Sequence, residues 1–133
     1  VIIEAALAAA VYTVPTCTDP VVRVLHSAGF RGRALRYAYG IVMRESKGHA
    51  RAISPTSDYG LFQWNRAAWS RATWWDPVRL LTPQYNAAVA FKISQGGRTF
   101  YPWDINGRGY HLARYSSRAT FNVWVKYVKE YPC

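Results

Sequence analysis

This sequence has few carboxylates and few cysteines. Only 7 of its 133 residues are Asp or Glu, against 17 Lys and Arg, which leaves a formal net charge of +10. A chain so poor in carboxylates offers few groups for acid–base chemistry, and each can be weighed in turn. A surface this basic favours polyanions (nucleic acid, anionic lipid or an anionic cell wall), and charge alone does not choose among them. Its one local cluster, Arg31, Arg33 and Arg36, reads as a solvated helix face. The two cysteines, Cys17 and Cys133, are too far apart for a short metal-binding spacing, and His26, His49 and His111 are equally scattered. No zinc site and no cofactor are therefore expected. The cysteines either form a disulfide, which implies an oxidising, extracytoplasmic setting, or remain free thiols. No run is long and apolar enough to span a bilayer. The nearest, Val1 to Val14, is interrupted by Glu4 and lacks a starting Met and a basic flank, so it does not read as an intact signal peptide. The chain reads as a mature protein or a domain of something larger. Repeats, low-complexity runs and Gly/Ser linkers are missing too, so residues 1–133 read as one domain.

Hydrophobic residues make up 50% of the chain, enough to build a core. Asp19-Pro20 reads as the cap and first residue of a helix running to Gly29. Asp76-Pro77 repeats the signal before Val78 to Leu81. Thr82-Pro83 repeats it for a helix through Asn86, Val89 and Ile93, stopped by Gly96-Gly97. Another helix spans about Ala34 to Ser46. A last one, capped by Thr120, puts Phe121, Trp124, Val125 and Val128 on one face, although Val123 to Val125 also suits a strand. Between these, Ala52-Ile53 and Tyr59 to Phe62 flank the turn residues Ser54 to Ser57, which predicts a small β-hairpin. The expected class is mainly α (α+β): a helical bundle with one small hairpin.

Glu45 is the odd member of its helix stripe. Leu35, Ala38 and Val42 are apolar, and the next residue on that face is a carboxylate. Burial penalises its ionised form and raises its pKa, which keeps it protonated as a general acid must be. The plainer reading is a helix-end residue that turns to solvent or pairs with Arg44 or Arg51.

The residues after Glu45 add weight to the catalytic reading. The run Glu45-Ser46, Ala52-Ile53-Ser54-Pro55 and Gly60-Leu61-Phe62-Gln63 resembles the core motif of soluble lytic transglycosylases. Val22 to Gly32 and Pro83 to Trp103 look like segments of bacteriophage tail-associated lysozyme domains. The resemblance covers about Asp19 to Tyr110 and leaves residues 1–18 as an N-terminal helix or extension outside it. It implies a lysozyme-like fold, a peptidoglycan substrate, Glu45 as catalytic acid, Gln63 at the edge of the substrate groove and Ser54 in the hairpin.

Asp58 is the remaining acid to place. Asp19 and Asp76 read as caps, Glu4 and Glu130 lie near the ends, and Asp104 reads as a turn residue. Transglycosylases usually have no acid at the Asp58 position. Asp58-Tyr59-Gly60-Leu61-Phe62-Gln63-Trp64-Asn65 instead resembles the Asp-Tyr-Gly-Ile-Leu-Gln-Ile-Asn run of C-type lysozymes. That resemblance implies a second catalytic carboxylate, which stays ionised against a cationic transition state. Asp58 equally suits a turn at the start of a strand.

Four of the six tryptophans lie close together, Trp64, Trp69, Trp74 and Trp75, and Trp103 is a fifth candidate. Such rings either fill the core or stack on the apolar faces of sugars, with Tyr59, Gln63 and Asn65 at the polar edges. The expected function is cleavage of the peptidoglycan glycan strand by a muramidase, with a lytic transglycosylase as the alternative and an inactive wall-binding or phage-tail module as a third. Charge interleaved with aromatics, as in Trp64-Asn65-Arg66, also suits a nucleic-acid binder, but no nucleic-acid motif accompanies it.

Overall fold

The structure, a computed structural model, describes residues 17–103 and 124–133. The readings made for residues 1–16, Asp104, His111, Thr120, Phe121 and Val123 lie outside the described residues.

Helix α1 runs Pro20–Ala28, as its start signal predicts: Asp19 Oδ1 accepts a 3.0 Å hydrogen bond from the Val22 amide. Gly29 stops it at φ 121°, where a side chain would run into the Phe91 ring. Helix α2, Gly32–Ser46, starts slightly earlier than the sequence suggested and ends at Lys47, which takes a left-handed φ of 54°. It buries Leu35, Ala38, Tyr39, Ile41 and Val42.

The hairpin lies one step further along the chain than expected. Strands β1 (Asp58–Tyr59) and β2 (Trp64–Asn65) pair antiparallel, with Asp58 opposite Asn65 and Tyr59 opposite Trp64. The anticipated pairing of Ala52-Ile53 survives only as an isolated bridge between Ile53 and Tyr59. The expected extended piece Tyr59 to Phe62 bends after Tyr59, because Gly60 (φ 73°) and Gln63 (φ 53°) take left-handed conformations. Leu61 and Phe62 both enter the core instead of alternating between faces. Residues Ser54 to Asp58 form a tight turn of their own, with the Ser54 amide bonded to the Asp58 carbonyl.

A short helix α3, Arg66–Trp69, comes directly after β2. Asp76 does cap its segment, accepting from the Val78 and Arg79 amides, yet only a 3-10 turn forms, Arg79–Leu81. Helix α4 spans Pro83–Ile93. Thr82 precedes it, but its hydroxyl bonds back to the Arg79 carbonyl instead of capping the helix. Tyr101–Trp103 is another 3-10 turn. The C-terminal segment Val125–Glu130 is a 3-10 helix and not the α-helix expected there. It packs against α2, where Gly40 makes room: a Cβ there would sit 2.7 Å from Val128. Cys17 and Cys133 are joined as a disulfide, with their Cα atoms 5.8 Å apart. Among the described residues no helix is long and apolar enough to cross a membrane.

The core is aromatic at its centre. Phe30 meets Phe91 edge-on at 5.2 Å and stacks with Phe62 and Phe100. Phe62 leads on to Trp103 at 5.2 Å, and Trp103 to Trp64 at 5.2 Å. This chain of rings joins the link between α1 and α2, the turn after β1, and β2.

Candidate active site

Glu45 sits in the last turn of α2 with its side chain 19% exposed. Burial holds its carboxyl above the usual carboxylate range. The charge and hydrogen bond of Arg44 oppose that, and the charge of Asp58 adds to it. The Arg44 guanidinium donates from Nη1 to Glu45 Oε1 at 2.9 Å. Both sequence readings of Glu45 are therefore present at once: it is a sheltered acid, and it has a basic partner.

The next residue explains how the helix end is held. Ser46 is buried, and its hydroxyl sits 3.2 Å from the Val42 carbonyl and 2.9 Å from that of Leu61. The second bond joins the end of α2 to the turn between the two strands. That places the acid beside the hairpin.

Across from it, Asp58 is the hub of a polar network. Its Oδ2 accepts from the hydroxyls of Ser54 and Thr56, each at 2.5 Å, and its Oδ1 accepts from Asn65 Nδ2 at 2.8 Å. Three donors thus converge on one acceptor side chain, using both of its oxygens. The same bonds brace the turn. Ser54 Oγ also accepts from the Thr56 and Asp58 amides. Asn65 donates to the Thr56 carbonyl and caps α3 by accepting from the Ala68 amide.

The remaining predicted groove residues divide into two sets. Gln63 lies in the turn, and its Nε2 donates to the carbonyls of Gly60 (3.0 Å) and Ala52 (3.3 Å). Its side chain thus ties the loop after Ser46 to the turn before β2. Tyr59 is buried, with Arg66 donating to its hydroxyl at 2.9 Å. Trp64 and Trp103 correct the expectation of sugar stacking: they are 1% and 7% exposed, packed on one another, and Trp103 Nε1 donates to the Phe62 carbonyl. A ring enclosed on both faces has none to offer a sugar. Among the described tryptophans the half-buried ones are Trp69, Trp74 and Trp75, with Trp64 against the first two at 5.4 and 5.1 Å.

Sequence reasoning missed Asn86 as part of this scaffold. It is fully buried on α4, donates to the carbonyls of Tyr59 (2.9 Å) and Leu80 (2.8 Å), and accepts from the Phe62 amide (3.0 Å). Gly60 lies against it, and a Cβ there would fall 2.2 Å from the Leu80 oxygen. The signal was present as an amide on an otherwise apolar helix face shared with Val89.

The site therefore brings a sheltered carboxyl, a fully hydrogen-bonded carboxylate and a ring of hydroxyl and amide groups onto two adjoining elements. A protein-family model described as a lysozyme-like domain matches residues 22–105, from α1 to just past the Tyr101–Trp103 turn. No curated protein and no solved structure matches the chain.

Proposed function

The chain belongs to the lysozyme-like domain family, and on that premise we propose that it cleaves the glycan strand of bacterial cell-wall peptidoglycan between MurNAc and GlcNAc. Glu45 is the general acid. The observation that carries this reading is the pair of unlike carboxyls: Glu45 pushed towards its protonated form by burial, and Asp58 surrounded by three donors. Two carboxyls whose environments differ in this way divide the work of glycoside cleavage. Glu45 protonates the glycosidic oxygen as the bond breaks. The Asp58 carboxylate faces the positive charge that develops on the sugar, as nucleophile or electrostatic stabiliser. Water then completes the reaction, and the enzyme is a muramidase. The basic surface concentrates it on the phosphate and carboxylate polymers of the wall. The disulfide suits work outside the cytoplasm.

A lytic transglycosylase is the second reading, favoured by how completely the bonds of Asp58 serve the Ser54–Asp58 turn. In that case the sugar's acetamido group attacks, its 6-hydroxyl closes an anhydro ring, and Asp58 is only a brace.

Mass spectrometry of digested peptidoglycan tests both. Glu45→Gln is expected to fold and to lose about 100-fold or more of wall lysis; a variant with full activity would remove Glu45 from the chemistry. Reducing-end products make the enzyme a muramidase, and Asp58→Asn then loses activity on a similar scale. Products lighter by one water make it a transglycosylase, in which Asp58→Asn keeps most of its activity.

A further inference from the structure

Arg44 is an awkward neighbour for a general acid. Its guanidinium donates to Glu45 Oε1 at 2.9 Å, and the two side chains are 31% and 19% exposed. A cation at that distance favours the ionised carboxyl, the form that has no proton to give. We propose that Arg44 is a positioning residue that latches the Glu45 carboxylate in the resting site and opposes its loading with the proton used for cleavage.

The inference rests on the reading of Glu45 as the general acid, and the geometry gives it content. Arg44 and Glu45 are consecutive on α2, so their backbones diverge around the helix by about 100°. Their side chains nonetheless meet at 2.9 Å. Such a pair is not a rigid strut. A guanidinium still partly in water can swing to another anion without unpacking the core, whereas Glu45 is the less exposed of the two. The charged groups acting on Glu45 are Arg44 from its own helix and Asp58 from the hairpin, and they act in opposite directions. Removing Arg44 leaves burial and Asp58, both of which favour the proton. Peptidoglycan carries carboxylates that a guanidinium binds well, so the substrate itself can draw the latch away as it settles and shelters Glu45 further.

The test uses carbon-13 NMR titration of the Glu45 carboxyl in the wild-type protein, Arg44→Gln and Arg44→Lys, alongside the pH dependence of wall lysis by each. Arg44→Gln is expected to move the Glu45 midpoint upward and to carry the alkaline limb of kcat/KM upward with it, because lysis is lost as the acid deprotonates. Arg44→Lys keeps a cation in reach and stays near the wild type in both. A merely structural role would change the amount of activity without displacing the limb. An unchanged midpoint in Arg44→Gln would overturn the proposal, and so would a displaced midpoint with an unmoved limb. The midpoint is read without turnover. Full lysis by Glu45→Gln would therefore sink the glycosidase reading and leave the Arg44–Glu45 pairing standing, so the two failures are distinguishable.

Discussion

Burial costs the charged form of Glu45 more than Arg44 returns to it. Burial raises its pKa, so between the ordinary carboxylate range and its own value the folded protein keeps a proton that the unfolded chain has released. Stability then falls as pH rises through that window. Glu45→Gln fixes the neutral form and removes the dependence. Its melting temperature should exceed that of the wild type near neutral pH, and the two should converge in acid, which calorimetry across a pH series would show. A wild type that melts higher at neutral pH would mean the Arg44 bond outweighs the burial. At this scale spacing marked Glu45 as a carboxylate closing an apolar stripe without choosing between a sheltered acid and a helix-end partner of Arg44, and the structure holds both features. The sequence was less informative about Trp64 and Asn65. Strands of two residues are too short for alternation to say which side chain enters the core, so both passed as groove residues. The structure gives Trp64 to the core, and the bonds of Asn65 go to Thr56, Asp58 and Ala68.

Among the elements, the hairpin and its turn decide where Asp58 sits relative to Glu45. Helices α1 and α4 were legible because Pro20 and Pro83 act locally, at the first residue of the helix itself. The register of the hairpin was not, because it is set from a distance. Asn86, 24 residues beyond Phe62 in the chain, bonds the Phe62 amide and holds the turn against α4. Asn86→Leu should therefore cost about 2–4 kcal/mol, since it leaves a buried amide and two carbonyls without partners. Gly60→Ala should cost at least as much, because the Leu80 oxygen it would meet is backbone and Gly60 holds a positive φ. Denaturant titration would measure both losses. The site makes a sharper demand: each variant should lose more lysis than its unfolded fraction explains, because Ser46 anchors the end of α2 to this same turn. Lysis that merely tracks the folded fraction would show that the turn does not position Glu45.

For the molecule as a whole, the question is what keeps α2 in place, since the proposed general acid sits in its last turn. One side of the helix faces the aromatic core, and the C-terminal segment covers another, with Val128 at Gly40, Tyr131 edge-on to Tyr39 at 5.6 Å and Arg36 over the Tyr131 ring. The disulfide fastens that segment to Cys17, just ahead of α1, so α2 is strapped from outside by residues remote in sequence. A crosslink across so long a loop restricts the unfolded chain more than it changes the folded one, and in the chain-entropy picture it contributes roughly 3–5 kcal/mol. The paired substitution Cys17→Ser and Cys133→Ser should lower the melting temperature by an amount that reductant reproduces in the wild type and does not deepen in the variant. At temperatures where the variant is still folded, its lysis rate should match the wild type, since neither cysteine bonds to Glu45, Asp58 or Gln63. A melting temperature indifferent to reductant would mean that Tyr131 and Val128 hold the strap without the bond. Loss of lysis in a folded variant would mean that the strap sets the pitch of α2, and that Glu45 is aimed from the far end of the chain.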